Sequence, residues 1–338
     1  MNAISARGLS KAYKRTFGKA ALFSLTDLDL DVAESEVYGF LGRNGAGKTT
    51  TIKLLCSLLH PTRGDAFVFG KNVRTLEARR FIGYLPENPY FYEYLTPRET
   101  LDFYGRLQGL SATARKQEWE KLSVLLDLED IAEQRVRQFS KGMRQRLGFA
   151  VALVGDPKVL ILDEPMSGLD PLGRRAIREL ILTLRDEKKT VFFSSHVLGD
   201  VEQICDRVGI LVKGKMKVQG RIDQLLTEQI EHVEVIVAGL DTEGAESVAE
   251  RSVSMRRSEA GHHFRVADLN TANEVVRTVQ ARNAKLVEFT PVKESLEEYF
   301  MRKQEPTSTS FPSSTWERGE RGETWERGGK RWKQEPGS

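Results

Sequence analysis

Apolar and polar positions alternate along the first forty residues, in "AISARGLSKAY" and "LTDLDLDVAESEVYGFLG". Period-two alternation predicts antiparallel strands, here leading into a fully apolar strand, "VYGFL". From Thr49 the spacing turns helical in "TTIKLLCSLLH" and stops at Pro61. "FVFGKNV" and "RRFIGYLPE" read as further strands. Residues 98–134 are rich in helix formers, with Leu122, Leu125 and Leu126 at helical steps. "KVLILDEP" and "TVFFSSH" are continuous apolar runs of the kind that strands of a parallel sheet show when buried on both faces. Alternating strands and helices predict an α/β domain built on a parallel sheet.

After about Gly220 the pattern changes. "HVEVIVA" alternates, a helix comes next over Thr242–Glu250, and weaker strands lie at "SVSMRR" and "HFRVAD". A helix over "TANEVVRTVQARN" has Asn270 or Thr271 available as cap. "KLVEFT" and a last helix, "KESLEEYFMRK", complete the series. Strand–helix–strand–strand–helix–strand predicts a small α+β unit of ferredoxin-like type over residues 221–304. From Glu305 the chain has no Ala, Val, Ile, Leu or Met and repeats "TWERG". Such a segment buries too little apolar surface to offset its ordering entropy, so 305–338 reads as a disordered low-complexity tail. Its Trp316, Trp325 and Trp332 suggest a binding motif, but an extension without a role fits the composition better.

Composition adds exclusions. The formal net charge of +3 on 338 residues gives no electrostatic case for nucleic acid. Cys56 and Cys205 lie far apart in apolar surroundings, which favours a reducing compartment over a disulfide framework. The histidines and cysteines show no metal-ligand spacing. No apolar run approaches the ~18 residues that cross a bilayer, and the N-terminus has no secretory pattern. A membrane role would therefore come through a partner.

The candidate chemistry begins at "GRNGAGKTT", Gly42–Thr50, between a buried strand and a helix. This is the phosphate-loop spacing G-x-x-x-x-G-K-[ST] in its required context. Backbone N–H groups from Asn44 through Gly45, Ala46, Gly47 and Lys48 to Thr49 would line one concavity at a helix N-terminus. Lys48 would serve the β- and γ-phosphates, and Thr49 would offer its hydroxyl to Mg²⁺. Asp163 ends the apolar strand "VLILD" at the sheet's C-terminal edge, where ligands bind, and could hold Mg²⁺ through water. Glu164 comes directly after it and could polarise the attacking water as general base.

These motifs, with four more in fixed order, resemble the ATP-binding subunits of ABC transporters. "FSKGMRQRL" at 139–147 is similar to the signature segment "LSGGQ", "SGLD" at 167–170 to the D-loop, and His196 to the switch histidine. Tyr13 stands where the family has an aromatic under adenine. The resemblance covers residues 1 to about 220. It implies a RecA-like phosphate-loop NTPase core with an antiparallel β subdomain and a helical subdomain at about 88–150.

The resemblance further implies that His196 holds the γ-phosphate and Glu164's water. It implies that Ser140 and Gly142 approach the nucleotide of a second subunit, and that Asp170 touches the partner's phosphate loop. On the chain alone, Ser140 and Asp170 also read as helix caps, the latter with Pro171 behind it. Two departures stand out: Glu87 where the family commonly has Gln, and Lys141 and Met143 in place of Gly and Gln in the signature. They resemble a subgroup of bacterial export-type ATPases.

The expectation is an ATPase, binding ATP and Mg²⁺ in a head-to-tail homodimer or pseudo-homodimer. It would act peripherally on the cytoplasmic face of the plasma (inner) membrane and power a multispan permease, carried on a separate chain, in an exporter. "ENPYFYEYLTPRETLDFYGRL" would dock the permease through Tyr90, Phe91, Tyr92 and Tyr94. The alternatives are a non-transport ABC ATPase acting on a ribosome or nucleic-acid complex, and a module that binds ATP without turnover. No second ATPase domain or coiled-coil insertion supports the first of these.

Overall fold

The computed structural model describes residues 2–13, 22–226, 230–258 and 261–293. The last helix expected from the sequence, at 293–303, and the tail expected to be disordered lie outside them, apart from Lys293. The strands and helices of these residues form three sheets with their covering helices.

The first sheet is antiparallel, in the order β2 (Leu22–Ala33), β1 (Asn2–Tyr13), β4 (Arg63–Val68), β5 (Lys71–Asn72). "FVFGKNV", read as one strand, is a hairpin between β4 and β5. It turns at Phe69 and Gly70, both at positive φ, the geometry of a tight two-residue connection.

The second sheet has the order β10 (Lys215–Arg221), β9 (Arg207–Val212), β3 (Val37–Leu41), β8 (Thr190–Ser195), β7 (Val159–Leu162), β6 (Ile82–Leu85). All neighbours pair in parallel except β10 with β9. Every residue of β3, β7 and β8 is buried, as their unbroken apolar runs require. Register carries the functional consequence: Leu41 pairs with Ser195, and Leu162 with Phe193. At their C-terminal ends the three strands therefore deliver the loop from Gly42, the Asp163–Glu164 pair and His196 to one edge.

Helix α1 (Lys48–Leu55) begins directly after the glycine loop and ends about five residues earlier than its apolar spacing suggests. Ser57, in the left-handed region, closes it: Leu58 N–H donates to Lys53 O and Ser57 N–H to Leu54 O. The short α2 (Leu76–Arg79) precedes β6. The helical subdomain comprises α3 (Pro97–Leu107), opened by a capping box between Thr96 and Glu99, α4 (Ala112–Leu125) and α5 (Lys141–Leu153). Its core joins Leu101, Trp119, Leu122 and Phe149 to Leu160 and Leu162 of the parallel sheet. Helices α6 (Pro171–Asp186) and α7 (Leu198–Ile204) cover the sheet, and α8 (Ile222–Leu225) comes after β10. Ile222 is buried in the same core, with Leu225 and Leu226 packed against it.

The remaining unit runs β11 (Ile230–Ala238), α9 (Thr242–Ala249), β12 (Ser254–Ser258), β13 (Gly261–Val266), α10 (Leu269–Ala281), β14 (Lys285–Lys293). Its antiparallel order, β12-β13-β11-β14, is that of a ferredoxin-like sheet. Val233, Val235, Val237 and Phe264 form its core with Val248, Val275 and Val279 of the two helices. The cap of α10 is Asp268, whose carboxylate accepts from Thr271 N–H. Asn270 and Thr271 are inside the helix.

Candidate active site

The loop after β3 is shaped by contacts that only glycine permits. Gly47 has φ 111°, and a Cβ there would meet the backbone oxygen of Ser24 at 2.5 Å. At Gly42 a Cβ would meet Leu211 O at 2.7 Å. Gly45 lies in open space and needs only its φ of 80°. The β9–β10 turn buttresses the loop, with Gly214 N–H donating to Ala46 O and Thr26 N–H to Gly214 O. Ser24 and Thr50 hydroxyls lie 2.9 Å apart, fixing the loop from the antiparallel sheet.

Ala46 departs from the sequence expectation. Its side chain is buried in the core and its N–H donates to Arg43 O, so it presents no donor to the concavity. The donors that remain include Gly47, Lys48, Thr49 and Thr50, the first N–H groups of α1, which have no intrahelical acceptor. They face a cavity of about 570 Å³ lined also by Asn44, Gly45, Glu87, Glu164, Ser167 and His196.

Two side chains converge there on Glu164. Lys48 Nζ sits 3.1 Å from Glu164 Oε1 and donates to Gly42 O at 2.6 Å. His196 Nδ1 is 2.8 Å from Glu164 Oε2. The Lys48–Glu164 pair is buried, a contact that motif spacing does not announce. Glu164 holds a left-handed backbone, φ 49°, which costs a non-glycine residue about 1–2 kcal/mol. It is tied in place: its N–H donates to Ser194 Oγ at 2.9 Å, and that hydroxyl donates to Asp163 Oδ1 at 2.7 Å. Asp163, expected at the site but not among the residues lining this cavity, is buried and oriented by Ser194. Ser194 was the signal missed, a serine pair in the otherwise apolar "TVFFSSH".

Other residues expected at the site lie elsewhere on the chain. Tyr13 ends β1, paired with Leu22, half exposed, with Lys11 Nζ 5.5 Å from its ring centre. It does not line the phosphate cavity. Ser140, Gly142 and Asp170 line a second cavity of about 660 Å³, with Lys141, Met143 and Gly168. Both capping readings hold: Ser140 Oγ accepts from Met143 N–H, and Asp170 Oδ1 from Gly173 N–H at 2.7 Å. Gln145, also unremarked in the sequence, is buried in α5 and donates to Pro165 O at 2.7 Å. It links the helix behind Ser140 to the residue after Glu164.

A glycine loop wrapped at a helix N-terminus, with a buried lysine, a paired acidic strand end and a histidine on one sheet edge, defines a phosphate-loop nucleotide hydrolase. The family model described as ABC transporter matches residues 25–167. An uncharacterized ABC transporter ATP-binding protein of Synechocystis is 38% identical over 307 residues, 89% of this chain and 84% of its own. The bacitracin transport ATP-binding protein BcrA of Bacillus licheniformis is 41% identical over 62% of this chain and 69% of its own. Among solved structures, an ATP-binding subunit of an ABC transporter has 31% identity and a TM-score of 0.58, over 66% of this chain and 91% of that one. A dimeric ATP-binding cassette with ADP and Pi shares the fold at 23% identity and a TM-score of 0.60, over 65% of this chain and 98% of that one. The chain belongs to the ABC transporter ATP-binding proteins and is an ATPase.

Proposed function

We propose that the chain powers an exporter by ATP-driven, head-to-tail pairing of two copies. The observation that carries this reading is the division of the site. Lys48, Glu87, Glu164 and His196 surround one cavity, while Ser140, Gly142 and Asp170 line another. A second subunit in head-to-tail orientation brings the second set onto the first. ATP then favours the closed pair because it contacts both halves, and loss of the γ-phosphate removes that preference.

Within the pair, Lys48 leaves Glu164 for the phosphates, Glu164 orients water as general base, and His196 steadies both. Tyr13 stacks on adenine. The donors fit Mg²⁺: Thr49, Glu87 and Asp163 offer hard oxygens, and Ser194 already holds Asp163 in a fixed orientation. Among the described residues no group of three or more His, Cys, Asp or Glu could hold a metal alone. Mg²⁺ suits this, since it commonly takes one or two protein oxygens together with substrate phosphate. Bound there, it would neutralise phosphate charge.

No helix of the described residues is long and apolar enough to cross a membrane, which supports a peripheral subunit and a separate permease. Tyr92, Tyr94, Phe103 and Trp119 line a cavity of about 710 Å³ that suits a short helix from that partner. Phe91, expected on the docking surface, is buried in the helical core. Tyr90 is among the most exposed rings of the described chain.

The test is Glu164→Gln in the full chain. Turnover should fall by roughly 10²-fold or more, and the protein should elute as a dimer with ATP and as a monomer with ADP. Retained turnover would remove Glu164 from the base role.

A further inference from the structure

The turn after β7 holds Glu164 in a conformation that its chemistry opposes. A left-handed backbone is costly for any residue with a side chain, and Pro165 pushes the residue before it toward extended backbone. Glu164 nevertheless has φ 49°. Such a conformation persists only where the surroundings over-determine it. Two anchors are local to the sheet and the turn: Glu164 N–H donates to Ser194 Oγ at 2.9 Å, and Glu164 O accepts from Ser167 N–H at 3.0 Å. The third comes from a different element. Gln145 of α5, 3% exposed, donates its amide Nε2 to Pro165 O at 2.7 Å. Pro165 is itself buried, and among the described residues no backbone N–H reaches its carbonyl.

Close packing of α5 puts Gln145 in reach. Gly148, on the same face of the helix one turn later, lies so near β6 that a Cβ would meet Leu85 Cδ1 at 2.6 Å. A neutral amide suits the buried carbonyl, because it donates without carrying a charge out of water. An apolar side chain of equal volume would fill the space and leave Pro165 O unpaired.

We propose that Gln145 is a positioning residue for Glu164: by holding the carbonyl of the next residue, its amide fixes the turn that aims the carboxylate at the attacking water. The proposal rests on the reading of Glu164 as general base. In that reading Lys48 leaves the carboxylate for the phosphates, so His196 and the anchored backbone are what keep it aimed. Gln145 lines neither cavity and acts only through the turn.

The experiment measures steady-state Mg·ATP hydrolysis by the full chain. Gln145→Met keeps the volume and removes the donor. Its kcat should fall about tenfold, the effect of one modest hydrogen bond, with KM unchanged within about twofold. Gln145→Glu supplies a donor only while protonated, and burial raises that carboxyl. Taken as a ratio to the parent at each pH, its kcat should be near parental at about pH 6 and fall to that of Gln145→Met by about pH 9. In the Glu164→Gln background, Gln145→Met should cost nothing further, because the group it positions has lost its function. A parental kcat in Gln145→Met, with Glu164→Gln inactive, would overturn the proposal and leave the base reading intact. Raised KM with kcat preserved, or full additivity with Glu164→Gln, would assign Gln145 to packing and overturn it too. Should Gln145→Met not fold, the pH ratio of Gln145→Glu decides alone, and a flat ratio removes the hydrogen bond from the explanation. If Glu164→Gln keeps parental turnover, the base reading falls and the proposal with it.

Discussion

At the scale of single residues, the buried contact between Lys48 and Glu164 makes the nucleotide site a determinant of stability as well as chemistry. Both side chains are at most 10% exposed, so neither charge is well served by water. Removing one partner of such a pair typically costs about 3–5 kcal/mol, mainly through the charge left behind. Lys48→Ala should therefore destabilise the chain by about 3 kcal/mol, the low end, because His196 still faces the other carboxylate oxygen. Lys48→Ala with Glu164→Gln should lose less than the two single changes added together. Urea unfolding of the four proteins measures the coupling, and strict additivity would show that the ammonium and carboxylate do not sustain each other. Sequence reasoning named both residues but not their contact. Motif spacing specifies what each group does to a phosphate, whereas the pairing arises from the parallel register that brings the ends of β3 and β7 together. Ser194 and Gln145 escaped for the same reason, since their partners are distant in sequence.

At the scale of elements, legibility tracked periodicity. The buried strands β3, β7 and β8 were visible because a double-faced environment demands an unbroken apolar run. Helix α1 was overextended because apolar residues continue past its end, where Ser57 turns the backbone without glycine. The β9–β10 hairpin went unread, although its Lys213–Gly214 turn, both residues at positive φ, supports the phosphate loop. In the ferredoxin-like unit the helix starts are set by aspartates. Asp241 is held below the ordinary carboxylate range chiefly by Gly244 N–H, then by Arg282. Asp268 is lowered chiefly by Thr271 N–H. A carboxylate whose folded value is depressed contributes stability that is fully present above its unfolded value, near pH 4, and is lost as pH falls through the folded value. Acidification below about pH 4 should thus fray α9 and α10. Asp241→Asn with Asp268→Asn should flatten that dependence, because asparagine caps a helix without titrating. Helical circular dichroism of the full chain between about pH 5 and pH 2 is the measurement. An unchanged acid profile in the double variant would remove the caps from the explanation.

At the scale of the whole molecule, the arrangement that matters is a separation. The sheet edge gathers Lys48, Glu164 and His196 at one cavity, and α5 with the loop to α6 carries Ser140, Gly142 and Asp170 to a different one. The order of motifs along the chain could not reveal this, because sequence order says nothing about which cavity a residue faces. The resemblance supplied the idea of a second subunit, and the two cavities give it a physical basis. If each working site is built from two chains, two differently damaged subunits should repair one another. Lys48→Ala spoils the nucleotide-holding half of its chain, and Ser140→Glu puts a repelling charge on the completing half. Each alone should be inactive, since every site in either homodimer contains a damaged half. In an equal mixture about half of the dimers are mixed, and one of the two sites in each is assembled from the intact halves, so about a quarter of the parent turnover should return. Phosphate release on mixing measures it, against the sum of the two variants assayed apart. Recovery to that level would require the shared site, because a self-contained active centre in each chain leaves the mixture no better than its components.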